Sequence, residues 1–287
     1  MSDSQGNTRH PQGLASHASN GGEAQAASAQ GQVRIDRHDA IATVILDRPA
    51  KLNALTRPMW RALGAAFESL SADDRVRVII VRGAGERAFS PGNDIKEFET
   101  ERANKAQAIA YGHDMHQTAH QIAACRHPVV AQIHGICVGG GLEIAALADI
   151  RICGASSRFG APIKNLGLVM AYDEMKPLVD LVGRSIALEI LLEGRIMDAP
   201  EALAKGLVSR VVPDDQVAAE ALATAQRIAE GAPLVARWHK QFARRLMDPA
   251  PLTAAEREVC FDCFDTEDFR TGYAAFVAKT APVFEGR

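Results

Sequence analysis

The chain has 287 residues, 47% of them hydrophobic and 23% charged, with a formal net charge of −3. A chain of this size and balance builds a substantial core without disulfides or a structural metal. It contains no run of about 18 apolar residues that would span a membrane, and its mild acidity argues against general nucleic-acid binding, which relies on clustered Lys and Arg.

Residues 1–32 contain no Val, Ile, Phe, Tyr or Trp and are filled with Ser, Gln, Gly, Ala, Asn and His. Such a stretch cannot bury enough apolar surface to offset its ordering entropy, so a disordered N-terminal tail is expected. It lacks the basic start and apolar run of a secretory signal. From Val33 onward, strand and helix signals alternate. Ala42–Leu46 reads as a strand. Thr56 caps a helix whose first turn accommodates Pro58 and whose Met59, Trp60, Leu63, Phe67 and Leu70 share one face. The near-continuous apolar run Val76–Val81, interrupted only by Arg77, has the character of a strand covered on both faces.

Gly83-Ala84-Gly85-Glu86-Arg87-Ala88 matches a loose dinucleotide pattern, but Phe89-Ser90-Pro91-Gly92 follows where a helix would have to start. A nicotinamide or flavin role is therefore set aside. A helix is expected from about residue 103 to 124. It carries His113, His116 and His120 on one face, but no obvious carboxylate or cysteine completes a metal set. Pro128–Ile133 and Asp149–Cys153 read as further strands, with Asp149 in a capping or pairing role. Helical periodicity then covers Val179–Leu192, Pro200–Lys205, Asp214–Glu230, Pro233–Met247 and Glu267–Lys279. Strands separated by helices imply parallel pairing with right-handed crossovers. The expected fold class is α/β, with a core over residues 33–200 and a helical C-terminal part over 201–287.

Five cysteines (Cys125, Cys137, Cys153, Cys260 and Cys263) form an odd set, best explained by buried, reduced thiols of a cytosolic protein. Cys260 and Cys263 stand at i, i+3 on a helical segment and are not assigned a redox or metal role. Neither a P-loop nor a GxSxG nucleophile elbow occurs.

Two segments carry chemistry. Phe89-Ser90-Pro91-Gly92-Asn93-Asp94-Ile95-Lys96-Glu97-Phe98 and His134-Gly135-Ile136-Cys137-Val138-Gly139-Gly140-Gly141-Leu142-Glu143 each join a strand to a helix start through glycine. Backbone N–H groups at such starts lack intrahelical partners and favour negative charge. If the two strands are neighbours, two convergent N–H donors could hold an oxygen that becomes anionic, with the Glu143 carboxylate close by.

On these residues the chain resembles the crotonase, or enoyl-CoA hydratase/isomerase, superfamily. The resemblance starts near residue 34 and rests on Arg48-Pro49-Ala50-Lys51-Leu52-Asn53-Ala54-Leu55, the Phe89–Phe98 loop and His134–Asp149. It continues through Phe159-Gly160-Ala161-Pro162, Leu166-Gly167, Leu191–Arg195, Gly206-Leu207-Val208 and Ala274–Lys279. It implies a crotonase-like repeated ββα core with a helical C-terminal trimerisation region, assembled as a homotrimer or dimer of trimers. It also implies an acyl-CoA thioester substrate and no cofactor, because CoA is part of the substrate. By the same resemblance, the N–H groups of Asn93 and Gly140 would hold a thioester enolate, and Glu143 would shuttle the proton. Asn93, Asp94, Ile95, Lys96 and Gly140 would contact CoA, as would Phe276 and Lys279, sometimes from a neighbouring subunit.

The chain departs from the family's hydratases in two places, one of them the stretch Val169-Met170-Ala171-Tyr172-Asp173-Glu174-Met175, where the family continues as Pro-Gly with more glycines. Of the two glutamates they use, the first falls on Glu143 and the second on the place after Pro162, where Ile163 stands. Tyr172, Asp173 and Glu174 are candidate replacements, with Tyr172 and Asp173 put forward, although a gap-free match points to Ala171. The expectation is an enoyl-CoA hydratase-like lyase in the cytoplasm. The alternatives are an isomerase or decarboxylase using Glu143 alone, and an acyl-CoA-binding protein without turnover. Neither metal, nucleic acid nor membrane is expected as a partner.

Overall fold

The computed structural model describes residue 1 and residues 31–287. The segment read as a disordered tail thus lies outside the described residues, apart from its first and last two positions. β1 (Gln32–His38) and β2 (Ile41–Asp47) form an antiparallel hairpin in register from Gln32 opposite Asp47 to His38 opposite Ile41. Its turn uses Asp39 at φ 51, in the left-handed region that Asp tolerates better than most residues.

α1 (Arg57–Ala72) begins as its sequence dictates. The Thr56 hydroxyl accepts from the Met59 N–H, Pro58 sits in the first turn, and Met59, Trp60, Leu63, Phe67 and Leu70 are buried. In chain order there follow β3 (Val78–Gly83), β4 (Ala88–Ser90), α2 (Phe98–Glu101), α3 (Lys105–Ala124), β5 (Val129–Ile133), β6 (Ile136–Val138) and α4 (Gly140–Ala146). Next come β7 (Ile150–Gly154), β8 (Arg158–Gly160), α5 (Tyr172–Glu193), β9 (Met197–Asp198), α6 (Ala199–Ala204) and β10 (Arg210–Val212). The chain closes with α7 (Val217–Ala229), α8 (Pro233–Arg245), α9 (Ala254–Glu258) and α10 (Glu267–Ala278). α5 is broken at Gly183 (φ 75, ψ 161), so its first half is a separate short helix.

The strands make a six-stranded sheet, in the order β1-β2-β3-β5-β7-β10, and a four-stranded sheet, in the order β4-β6-β8-β9. Every pairing is parallel except β1 with β2 and β8 with β9. Three times the chain runs up a strand of the large sheet, through a short strand of the small one, and into helix: β3-β4-α2/α3, β5-β6-α4 and β7-β8-α5. This is the expected repeated ββα core.

The large sheet is apolar on both faces because its residues alternate between two cores. Val44, Ile79, Val81, Val129 and Ala131 pack into the main core with Phe67 and Tyr111. Ile41, Val78, Ile80, Val130 and Ile152 meet Ala221 and Ala225 of α7 on the other side. The division expected at residue 200 cuts through this body: β10 pairs with β7 in the large sheet, and α7 covers it. The dinucleotide-like Gly83–Ala88 stretch runs from the end of β3 into β4, so the helix that pattern needs is absent there.

Candidate active site

The first glycine turn is tied down before any ligand is considered. Leu55 donates its N–H to the Gly92 carbonyl and accepts from the Asp94 N–H, both at 2.8 Å. Those two bonds flank Asn93 and leave its own N–H without a backbone acceptor among the described residues. The Arg48–Leu55 segment supplies the rest of the support. Asn53, at φ 64, accepts from the Arg48 N–H through Oδ1 and donates to the carbonyls of Ala84 and Ala88. Ser90 Oγ donates to the Asn53 carbonyl and accepts from the Gly92 N–H. Asp94 pairs with Arg48 at 2.7 Å in a largely buried contact and accepts from the Lys96 N–H. Burial opposes ionisation of Asp94, but these donors together hold its carboxyl below the usual range. The Asp94 side chain is thereby committed to the loop, while Ile95 (60% exposed) and Lys96 lie at the surface.

The second turn follows β6. Gly139, at φ 54, reverses the chain, and Gly140 opens α4 with an N–H that has no intrahelical partner. The two turns touch. Gly92 has φ 91, and a Cβ there would stand 2.5 Å from the Gly140 nitrogen. The N–H groups of Asn93 and Gly140 therefore share one small neighbourhood.

Trp60 links them. Its indole N–H donates to Asn93 Oδ1 at 2.6 Å, and its ring lies where a Cβ on Gly140 would come within 2.9 Å. Asn93 Nδ2 points to the Met115 sulfur at 3.6 Å. Helical periodicity assigns Trp60 to the core face, and it is buried, but its polar edge belongs to the site. Trp60→Phe keeps the apolar ring and removes the donor. We expect about a tenfold loss in kcat with a change in stability within about 1 kcal/mol, read from steady-state kinetics and thermal melts. A kcat equal to that of the parent protein would show that this bond leaves the Asn93 amide where it is.

Beside the turns is a small cavity with an apolar wall that includes Trp60, Met115, Leu147 and Pro177, and with the carboxylates of Glu143, Asp173 and Glu174. Glu143 sits in the first turn of α4. Its pKa is pushed up to about 8, first by burial and then by the charge of Glu174, with Arg102 acting in the opposite sense. Glu174 lies in the first turn of α5, where Oε2 accepts from the Ala171 N–H at 3.1 Å and Oε1 is 3.3 Å from His116 Nε2. Asp173 turns toward His116 and His120, at 3.4 and 3.3 Å. So His116 and His120 do meet carboxylates, ones that no spacing on their own helix announces. Among the described residues no group of His, Cys, Asp and Glu could hold a metal ion.

The site residues expected from sequence are only partly brought together. Asn93, Gly140 and Glu143 converge. Asp173 lines the cavity, whereas Tyr172 is 92% exposed and does not. Ile163 packs against the main core and is no part of the cavity wall. Phe276 (84% exposed) and Lys279 lie at the surface on α10 and its C-cap, away from the cavity of their own chain. Cys125, Cys137 and Cys153 are buried, and burial raises their thiol pKa values. Chemically, the site offers two backbone donors for a developing oxyanion and carboxylates for proton transfer in an apolar setting.

A family model described as enoyl-CoA hydratase/isomerase matches residues 36–287. A probable enoyl-CoA hydratase of Mycobacterium bovis is 35% identical over 257 residues, covering 89% of this chain and 98% of that protein. The short-chain-enoyl-CoA hydratase of Clostridium acetobutylicum is 31% identical, covering 86% of this chain and 95% of that protein. Among solved structures, an enoyl-CoA hydratase/carnithine racemase from Magnetospirillum magneticum superimposes with a TM-score of 0.88 at 53% identity, covering 89% of this chain and 96% of that one.

Proposed function

Because the chain belongs to the enoyl-CoA hydratase/isomerase family, we propose that it adds water to a 2-enoyl thioester of coenzyme A. The observation that carries this reading is the meeting of the Asn93 and Gly140 turns beside Glu143. As water attacks the β-carbon, charge moves to the thioester oxygen, where the two N–H groups stabilise it. Glu143 moves the proton. The exposed Ile95 and Lys96 flank the mouth and contact CoA, with Asp94 holding the loop behind them. Apart from the substrate's own CoA, the reaction draws on no cofactor.

The test is purified protein with crotonyl-CoA, followed by loss of the conjugated-thioester absorbance and by mass of the product. A 3-hydroxyacyl-CoA supports the reading. Conjugation gained only from a 3-enoyl-CoA would make the protein an isomerase, and CO2 release from a carboxyacyl-CoA would make it a decarboxylase. Tight thioester binding without turnover would leave a binding protein. Each of these results overturns hydration.

The assembly belongs to the same proposal. Phe261, Phe264, Phe269, Tyr273, Phe276 and Val277 are exposed on and around α10, an apolar surface of the kind that an adjoining subunit covers. We expect a homotrimer, alone or stacked in pairs, in which Phe276 and Lys279 reach a neighbour's CoA. Light scattering should give a mass of three or six times 30.8 kDa, and a monomer would refute the assembly. No helix among the described residues is long and apolar enough to cross a membrane. We place the protein in the cytoplasm, where its five free cysteines remain reduced.

A further inference from the structure

The cavity contains an acid that the reading above leaves idle. Glu174 is 13% exposed at its side chain, faces the space that Glu143 faces, and lies close enough to influence the charge of Glu143 directly. We propose that Glu174, held by His116 and by the Ala171 amide, is the second proton-transfer group of the reaction. This inference rests on the hydratase reading of the same site.

The geometry divides the labour between the carboxylates. Two anions in one apolar cavity repel, so a proton is retained between them. Glu174 has two donors: the Ala171 N–H on one oxygen and His116 Nε2 on the other. No donor to the Glu143 carboxyl is present among the described residues, and its pKa of about 8 leaves the proton there at neutral pH. At rest the proton is thus kept on Glu143, and Glu174, with partners on both its oxygens, is the group placed to accept one, so the two carboxyl groups are set apart by their surroundings. The charged and titratable groups around them are His116 on α3, Asp173 next to Glu174 on α5, and Arg102 between α2 and α3, which acts on Glu143. The remaining lining is apolar.

The step balances with these groups. Glu174 takes a proton from water as the water oxygen bonds to Cβ. The double-bond pair shifts through the conjugated system to the thioester oxygen, giving the enolate held by the N–H groups of Asn93 and Gly140. The pair then returns, the carbonyl re-forms, and Cα takes the proton from Glu143. One water has been added, and transfer of the proton from Glu174 to Glu143 restores the starting state. His116 is a positioning residue. Its second nitrogen faces Asp173, and Asp173 faces the exposed His120, so the charge on Glu174 is backed by a chain of polar groups reaching solvent.

The test is kcat and KM for crotonyl-CoA across pH in the wild type, Glu174→Gln, His116→Ala and His116→Gln. Glu174→Gln should lose about 10²–10⁴-fold in kcat with KM within about threefold of the wild type. His116→Ala should lose about tenfold in kcat and shift the acid limb of the pH profile. His116→Gln, whose amide can still donate to Glu174, should recover most of that loss. A Glu174→Gln protein that keeps kcat within about threefold overturns the proposal. Should that variant fail to fold, Glu174→Asp withdraws the carboxylate by one methylene. It should lose at least about tenfold in kcat, and unaltered turnover would overturn the proposal equally. The two failures are distinguishable. A wild type inert toward crotonyl-CoA overturns the hydratase reading and this one with it, whereas turnover that survives at Glu174→Gln overturns this one alone.

Discussion

Replacing Glu143 by glutamine is expected to cut turnover of an enoyl-CoA by about 10²–10⁴-fold and, at the same time, to make the fold more stable in alkali. Both effects come from one carboxyl group. In the unfolded chain a glutamate ionises near its ordinary value of 4.5, whereas in the fold burial and the Glu174 charge delay ionisation to about 8. Between those values the unfolded state has released a proton that the native state still binds, so native stability falls as pH rises through the window. Below 4.5 both states are protonated and this penalty is absent; above 8 it is complete. Glutamine has no proton to lose. Glu143→Gln should therefore match the wild type in acid and exceed it by roughly 2–4 kcal/mol in alkali. Urea melts at about pH 4 and about pH 9 check this, and a constant difference at both would mean that Glu143 is not held out of solvent. Activity of the wild type should correspondingly decline above pH 8, as Glu143 loses the proton it must give.

Gly141→Ala should be nearly as damaging to activity, for a different reason. A Cβ at this position would stand 2.1 Å from the Ser90 carbonyl oxygen and 2.9 Å from its carbon, both backbone atoms of β4. Neither can swing away as a long side chain could, so α4 and the Ser90–Asn93 turn must separate. The N–H groups of Asn93 and Gly140, the proposed oxyanion donors, lie on opposite sides of that contact. Overpacking of this kind costs about 3 kcal/mol, and the displaced donors should cost about 100-fold or more in kcat. Gly112→Ala is the control. It lies on α3, a Cβ there meets nothing nearer than 3.6 Å, and alanine suits a helix better than glycine. It should melt at or slightly above the wild-type temperature. Equal damage from the two variants would show that the close approach at Gly141 is not what alanine upsets.

The long strands were legible because burial on both faces writes an unbroken apolar run, as in Val78–Val81 and Val129–Ala131. The three-residue strands β4, β6 and β8 were not. They are too short to show any period, and only their pairing with one another defines them. The same limit concealed how Gly83–Ala88 continues and why β10 belongs to the sheet. In the site, the glycine turns announced themselves, since backbone donors need glycine at the close approach. The acid we propose as the replacement did not, because three neighbouring residues, Tyr172, Asp173 and Glu174, point about 100° apart around a helix whose phase was unknown. A signal was present. Glu174 shares a face with Leu178 at i+4 and Leu181 at i+7, and Leu178 is buried, whereas Tyr172 falls on the outer side. Trp60 escaped notice because an aromatic at core spacing gives no sign that its N–H is in use.

The donors at Asn93 and Gly140 are main-chain groups, and this shapes how the protein could be re-engineered. Every residue except proline carries the N–H required at position 93, so substitutions there keep the donor itself while giving up the Asn93 Oδ1 bond to Trp60 that helps to place it. Proline alone should score as a knockout. Position 140 is closed to such variation, because a Cβ would press on the Trp60 ring at 2.9 Å. The proposed proton-handling groups, Glu143 and Glu174, are by contrast single side chains on the first turns of two different helices. A designer seeking a new reaction on this scaffold should therefore leave the two glycine turns intact and diversify positions 143 and 171–174, where one codon can turn an acid into a neutral wall.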